Sequence, residues 1–427
     1  MKQCVKVLAI SAVCAASLYA SGWRIPEQSL NSTALSAAYV ANANGADASY
    51  YNPANMAFIE DGSLLEAAMT YIRLPEINYK DNASSTRDSD SKVENFLIPT
   101  FHYVSPAVNN NWRFGFSTVA PGGLSKRWDE TYAKTFAEEF SLQIIELNPT
   151  ASYKVNDKFA VGFGFRGIYI DGVVKSDGII PTPSASALGI TAATVKRDME
   201  GDSIDFGYNL ALSYKAMDNL TLSTTYRSKI NLTVEGKADL TGAAVAGAAA
   251  GTVFAPYSGD VSVTIPLPAS LVLAASYTMN KTTFEFVYEK TYWSAYKNLD
   301  FNYASAITNP ILKSVFDDVK PKNWEDANAY RIGITHQYND KLRLMVGFAY
   351  DEAGATDKDT LGFELPDSNA KLYSLGVEYK ISENTKVGLA YLYDEKDSKS
   401  AVNGGGVNGE FTDGSAHLVT ASFKYRF

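Results

Sequence analysis

Hydrophobic side chains recur along this chain with a period of two. In its last segment Val419, Ala421, Phe423, Tyr425 and Phe427 alternate with Thr420, Ser422, Lys424 and Arg426. Leu342, Leu344, Val346, Phe348 and Tyr350 alternate in the same way with Arg343, Met345, Gly347 and Ala349. Ile204, Phe206, Tyr208, Leu210, Leu212 and Tyr214 do so with Asp205, Gly207, Asn209, Ala211 and Ser213. Successive side chains of a strand point to opposite faces, so the pattern requires strands with one wholly apolar face. A soluble β-sandwich would satisfy it too.

The rhythm of the connections separates the two. Strands are expected at 62–74, 94–104, 111–119, 139–155, 157–174, 200–215, 218–235, 259–279, 281–300, 326–338, 340–351, 370–381, 384–394 and 413–427. Even-numbered strands are followed by tight turns, such as Asn156-Asp157, Asp218-Asn219, Asn280-Lys281, Asn339-Asp340 and Glu383-Asn384. Most odd-numbered strands are followed by long loops of roughly 20–30 residues, the arrangement of bacterial outer-membrane barrels. An even count lets the two end strands meet antiparallel, and closure leaves no unpaired edge in hydrocarbon. The expected fold is therefore all-β, a 14-stranded antiparallel transmembrane barrel over residues 61–427. Beyond the first residues no run reaches 18 apolar residues, which excludes helical spans. Phe427, closing an aromatic alternation, fits the terminal signal by which barrel-assembly machinery recognises clients.

Residues 1–20 read as a signal peptide for export across the inner membrane. Lys2 and Lys6 precede a charge-free apolar stretch over 7–20, and Ala20 or Ser21 is the expected last residue removed. A transmembrane anchor would need about 20 apolar residues, and Ser11-Ala12-Val13 is a poor lipidation sequence before Cys14. Both cysteines, Cys4 and Cys14, lie in this segment, so the exported chain has no disulfide, thiolate or cysteine metal ligand. The 47 acidic against 38 basic residues argue against a nucleic-acid partner. With 27 Tyr and 21 Phe beside three His, the composition suits aromatic girdles better than catalysis.

Residues 21–60 break the alternation. Ser32 to Ala43 is alanine-rich enough for short helix, and Trp23, Leu30, Leu35, Tyr39, Tyr50 and Tyr51 make the segment apolar and almost uncharged. A solvated tail would be polar. A hatch folded into the lumen is the alternative, since a barrel of 14 strands is wide enough to need one.

The residues now resemble a known family, the long-chain fatty acid transporters of the outer membrane with their aromatic-hydrocarbon uptake relatives. Gly22-Trp23-x-Ile25-x-Glu27-Gln28-Ser29 is similar to the start of its mature members, and Ala46-Asp47-Ala48-Ser49 followed by Asn52-Pro53-Ala54 resembles its most typical motif. Leu147-Asn148-Pro149-Thr150-Ala151-Ser152-Tyr153 with Asn156-Asp157-Lys158, Trp324-x-Asp326, Tyr330-Arg331-x-Gly333 and Leu365-Pro366-Asp367 extend the likeness over nearly the whole exported chain. Ala120-Pro121-Gly122-Gly123-Leu124 departs from it, with Gly123 where the family has an aromatic residue. The resemblance implies 14 strands, an N-terminal hatch, capture of a hydrophobic small molecule by outer loops, and lateral exit through the wall. Gly22, Glu27, Gln28, Ser29, Asn52, Pro53 and Ala54 become hatch or gating candidates, and Pro121, Gly122 and Gly123 mark the exit region.

Two outer loops are unusually apolar, one with Ile179, Ile180 and Leu188, the other with Val253 and Phe254. They are candidate ligand-binding residues, or they pack on each other to close the mouth, with lipopolysaccharide or outer-membrane lipids at their rims. Arg113, Arg166, Arg227, Lys229, Arg331, Arg343, Lys424 and Arg426 share the lumen parity with Glu285, Glu289 and Glu378. They form a structural ladder of charge pairs, with Arg166, Arg331 and Arg343 candidates for a ligand carboxylate. No cofactor, metal or oligomeric partner is implied. His102, His336 and His417 form no nucleophilic constellation with Ser or Asp, which leaves a transporter set against a general porin or adhesin.

Overall fold

The computed structural model describes residues 22–59, 62–403 and 406–427; the signal peptide expected at 1–20, with Cys4 and Cys14, lies outside them. The wall is one closed antiparallel sheet of 14 staves. They are β1 (Leu64–Leu74), β2 (Glu94–Val104), β3 (Trp112–Val119, resumed as Gly123–Arg127), β4 (Glu139–Lys154), β5 (Phe159–Pro181), β6 (Ala192–Met217) and β7 (Leu220–Arg227, resumed as Ile230–Ala246). There follow β8 (Tyr257–Leu267, resumed as Ser270–Met279), β9 (Thr282–Thr291), β10 (Ala327–Gln337), β11 (Leu342–Asp351), β12 (Ala370–Lys380), β13 (Thr385–Lys396) and β14 (Ser415–Arg426). β1 closes the ring on β14, in register from Leu64↔Arg426 to Arg73↔His417.

Alternation sorts the side chains as the period of two requires. Phe165, Phe206, Tyr208, Phe286, Ile332, Leu375 and Phe423 project outward and are exposed to the surroundings of the barrel. Their chain neighbours Arg166, Asn209, Glu285, Arg331 and Ser374 are buried in the lumen. His417 lies on the outer face between Tyr391 and Tyr393, a girdle position.

The expected loops over 175–199 and 236–258 prove to be mostly strand. β5, β6 and β7 run on beyond the membrane, with Ile179, Ile180 and Pro181 ending β5 and Ala243 to Val245 still paired or adjacent in β7. Their Gly, Ala and Pro content reads as loop, but cross-strand pairing and burial of Ile170, Val174, Val195, Met199, Val234 and Leu240 override local propensity. Lys229, assigned to the lumen by parity, falls in the break between the two parts of β7 and is exposed.

Residues 22–59 fill the lumen, with most side chains buried. They form α1 (Leu30–Ala34), α2 (Ala48–Tyr51) and a 3-10 turn at Pro53–Phe58, so the helix suggested over 32–43 is shorter and starts earlier. Ser29 caps α1 by accepting the Ser32 N–H. Wall glycines let the segment approach: a methyl at Gly347 would overlap the Leu35 backbone, and one at Gly162 the backbone at Pro53 and Ala54.

Candidate functional site

The sequence Asn52-Pro53-Ala54-Asn55 fastens this segment to itself and to the wall. Pro53 occupies the first turn of the 3-10 helix, where its missing N–H costs nothing. Asn52 donates to Val40 O at 3.0 Å and to Ser213 Oγ at 2.9 Å, and Asn55 donates to the carbonyls of Val40, Ala41 and Ala43. The other side of that bend is held by Glu285, whose carboxylate accepts the N–H groups of Val40 and Ala41 at 2.6 Å and of Asn42 at 3.2 Å. Glu285 thus anchors backbone and is no rung of a charge ladder.

Most lumen charges do pair. Glu146 takes Arg166 and Arg227; Glu378 takes Arg343, Lys386 and Lys424; Arg331 joins Asp351 and Glu289, and Glu289 also holds Arg24 at 2.6 Å. Arg113 donates to the carbonyls of Gly62, Ser105 and Ile59. Arg166, Arg331 and Arg343, singled out for a ligand carboxylate, are each held by a carboxylate of the protein. Glu27 is buried near Arg331 and raised to about 8, chiefly by burial, with Arg331 opposing.

One break in the wall lies between β2 and β3; among the described residues pairing also lapses between β6 (203–208) and β7 (228–234). β2 pairs with β1 along its whole length but reaches β3 only from Phe101↔Thr118 to Val104↔Gly115. Residues 94–100 have no strand partner on that side, and β3 is itself interrupted at Ala120, Pro121 and Gly122. The Ser105 N–H donates to Phe114 O at 2.8 Å, so odd-numbered residues of β2 turn their backbone groups towards β3. Pro99 falls at such a position and removes a donor that would otherwise face hydrocarbon unpaired. Above the break, Glu94 closes the wall through Arg127 and Ser125.

The N-terminal segment seals the break from inside. Ile25 N–H donates to Pro121 O and Gly123 N–H to Trp23 O, both at 2.9 Å. Gln28 Nε2 donates to Ala120 O at 2.8 Å, and Ala120 N–H donates to Gln28 Oε1 at 2.8 Å. Pro121, Gly122 and Gly123 therefore meet the hatch residues in space. Ile25 packs behind the break with Phe96, Ile98 and Ala120. Gln28 O also contacts His102 Nε2 at 2.8 Å, and the ring's Nδ1 contacts Ser117 Oγ at 3.0 Å, placing His102 in the seal.

Outside the seal lies an apolar route. An outer cavity of about 530 Å³ is lined by Phe136, Phe140, Ile180, Phe301, Phe316 and Arg197, among others. Phe140, Lys322, Thr360 and Glu364 also line a tight inner pocket of about 10 Å³ with Trp23, Leu124, Tyr296 and Trp324. That volume holds a water at most, and Trp23 packs tightly within it. Its ring sits edge-on to Trp293 at 4.6 Å and Tyr296 at 5.2 Å, and Gly22, at φ +69°, fits beneath Trp293 and Trp324.

Arg197 was not singled out by its sequence context. Its guanidinium lies 5.4 Å from the ring centres of both Phe301 and Phe316, and its Nε is buried without a hydrogen-bond partner. Among the described residues no carboxylate forms an ion pair with it. The same cavity is lined by Asp318, Lys320, Lys322, Asp359 and Glu364, but a guanidinium held between aromatic faces without an ion-paired carboxylate is suited to one planar anion. Of the apolar loop candidates, only Ile180 lines the cavity; Phe254 is buried in the core, while Ile179, Leu188 and Val253 stand outside it, 55%, 64% and 78% exposed. The aromatic box was readable in part, because Trp23, Trp293 and Trp324 are three of only five tryptophans.

Residues 11–427 match the family described as outer membrane protein transport protein (OMPP1/FadL/TodX). Outer membrane protein P1 of Haemophilus influenzae is 25% identical over 70% of this chain and 66% of its own length. The long-chain fatty acid transport protein of Salmonella typhi is 24% identical over 97% of this chain and 96% of its own. Among solved structures, a Pseudomonas aeruginosa FadL homologue superposes with a TM-score of 0.81 at 19% identity, covering 95% of this chain and all of that one. The P. putida toluene transporter TodX does so at 0.71 and 19%, covering 92% and 98%. These structures share the fold.

Proposed function

Because the chain belongs to the outer membrane protein transport protein family, and is thus an outer-membrane transporter of hydrophobic compounds and not an enzyme, we propose that its cargo is a long-chain carboxylic acid. Arg197 carries this reading: among the described residues no carboxylate forms an ion pair with it, and its guanidinium lies against Phe301 and Phe316 in a cavity that Phe136, Phe140, Ile180 and Val315 also line. The acid group docks on Arg197 and the chain lies along Phe140 towards Trp23. Relatives named for fatty acids and for toluene bracket this chemistry, and a neutral hydrocarbon would leave Arg197 without a role.

Passage requires the N-terminal segment to move. Ten methylenes leaving water are worth about 8 kcal/mol. Unseating Trp23 and the Gln28 pair costs about 4–6 kcal/mol, so a long chain can drive what a short one cannot. With residues 22–28 displaced, the break between β2 and β3 opens sideways to the bilayer, past Pro121, Gly122 and Gly123. A general porin would keep an open lumen, whereas residues 22–59 occupy this one. The barrel closes on itself and works as a monomer, with Phe427 as the handle for its assembly machinery.

A long-chain acid carrying a diazirine tests the route. Illumination should attach it to Phe140, Trp23 and the Phe96–Pro99 stretch. Adducts confined to the periplasmic basin around Lys386, Lys424 and Arg426 would sink the lateral path, and none in the outer cavity would sink the capture site.

A further inference from the structure

The outermost part of the molecule is a pair of neighbouring hairpin turns, 182–191 between β5 and β6 and 247–256 between β7 and β8. β6 and β7 pair from Glu235↔Asp202 to Ala246↔Ala192, which brings the turns side by side. They are joined by Ala249 N–H to Gly189 O at 2.8 Å and Thr191 N–H to Ala246 O at 3.0 Å. β5 and β6 are 23 and 26 residues long, against the 9–11 or so that a tilted strand needs to cross a bilayer. The tip therefore stands roughly 30 Å above the membrane surface.

Its chemistry is unlike that of the other outer loops. Residues 178–195 and 241–259 contain no Asp, Glu, Lys, Arg or His. By contrast the β1–β2 loop carries Glu76, Lys80, Asp81, Arg87, Asp88, Asp90 and Lys92. Ile179, Leu188, Val245 and Val253 are exposed, Val253 by 78%. The tip also continues into the cargo cavity, since Ile180 lines it while Ile179, one residue away, points out. An apolar surface with no charge to dehydrate, raised on a stiff arm, can enter the acyl region of a lipid surface at little cost.

We propose that this tip docks the transporter onto phospholipid surfaces, vesicles or mixed micelles outside the cell, from which the cargo is drawn into the cavity. The proposal rests on the transport reading above. Docking places the cavity rim at the lipid interface, so the cargo need not cross water as a monomer.

The test uses the full chain in nanodiscs with phosphatidylcholine vesicles as the probe. Wild type should capture vesicles, and Leu188→Asp with Val253→Asp should weaken capture by at least about tenfold. In cells expressing each form, uptake from vesicle-embedded acid, relative to uptake of monomeric acid, should fall by a similar factor. Leu188→Ser with Val253→Thr, a milder change at the same exposed positions, should give an intermediate loss. Equal capture by wild type and the Asp variant, with both folded by heat-modifiable migration, overturns docking. Vesicle capture by a wild type that takes up acid in neither form overturns the transport reading and leaves docking standing.

Discussion

The side-chain amide of Gln28 pairs with the backbone of Ala120 as a neighbouring strand would, giving and receiving one hydrogen bond each at 2.8 Å. β3 has lost β2 as a partner at this point, so an amide from the N-terminal segment satisfies a backbone that would otherwise face hydrocarbon. The arrangement is reversible: the amide can leave without any strand unzipping.

Removing that amide should loosen the seal. Gln28→Leu keeps the size but leaves Ala120 N–H and C=O unpaired, at a cost of about 2–4 kcal/mol. Planar-bilayer recordings should show more frequent open events than wild type, with Gln28→Asn partly restoring closure. Indistinguishable recordings for Gln28→Leu and wild type would remove Gln28 from the gate.

Arg197→Gln should weaken capture of long-chain acids by roughly ten- to a hundredfold, the worth of a charge-assisted hydrogen bond in an apolar site. Uptake of an alkane or aromatic hydrocarbon of similar length should change little. Equal losses for both cargo classes would show that Arg197 shapes the cavity and does not read the acid.

Gly347→Ala should unseat the plug, because the added methyl meets the Leu35 backbone, which cannot rotate away. A cost of about 1–3 kcal/mol is expected, read as faster proteolysis within residues 22–59 and higher ion conductance. The barrel's own resistance to heat should persist. Gly251→Ala, where a methyl meets nothing but the φ is +91°, controls for glycine loss outside the lumen.

The outer loop carrying Asp367 should be pH-sensitive. Burial pushes the Asp367 carboxyl up to about 6, with Lys396 acting against the rise. A carboxyl raised by folding contributes stability that is present below its usual range and lost as pH rises through 6. The thermal transition should therefore fall between pH 4.5 and 7.5, and Asp367→Asn should flatten that slope. Parallel slopes for the two proteins would rule the residue out.

How far the sequence reached differs from element to element. Val419 through Phe427 and Leu342 through Tyr350 announced wall strands, because a period of two can bury only one face. The family resemblance implies a hatch at Asn52-Pro53-Ala54 and an exit region at Pro121-Gly122-Gly123; in the structure the first lies inside the lumen and the second falls at the interruption of β3. Arg166, Arg331 and Arg343 looked available for a ligand, and Arg197 did not stand out. Parity assigns a face, but it does not say which carboxylate stands across the lumen.

By itself, the sequence determined a two-faced sheet, its closure and the sidedness of its loops. Each follows from local alternation and turn chemistry, and from the rule that no backbone group stays unpaired in hydrocarbon. Tertiary structure alone decided that Gln28 stands in for a strand at Ala120, that Trp23 fills an aromatic box, and that no described carboxylate forms an ion pair with Arg197. Those contacts join residues such as Trp23 and Trp293, or Gln28 and Ala120, that are far apart along the chain. Their geometry exists only once the barrel has closed around its N-terminus.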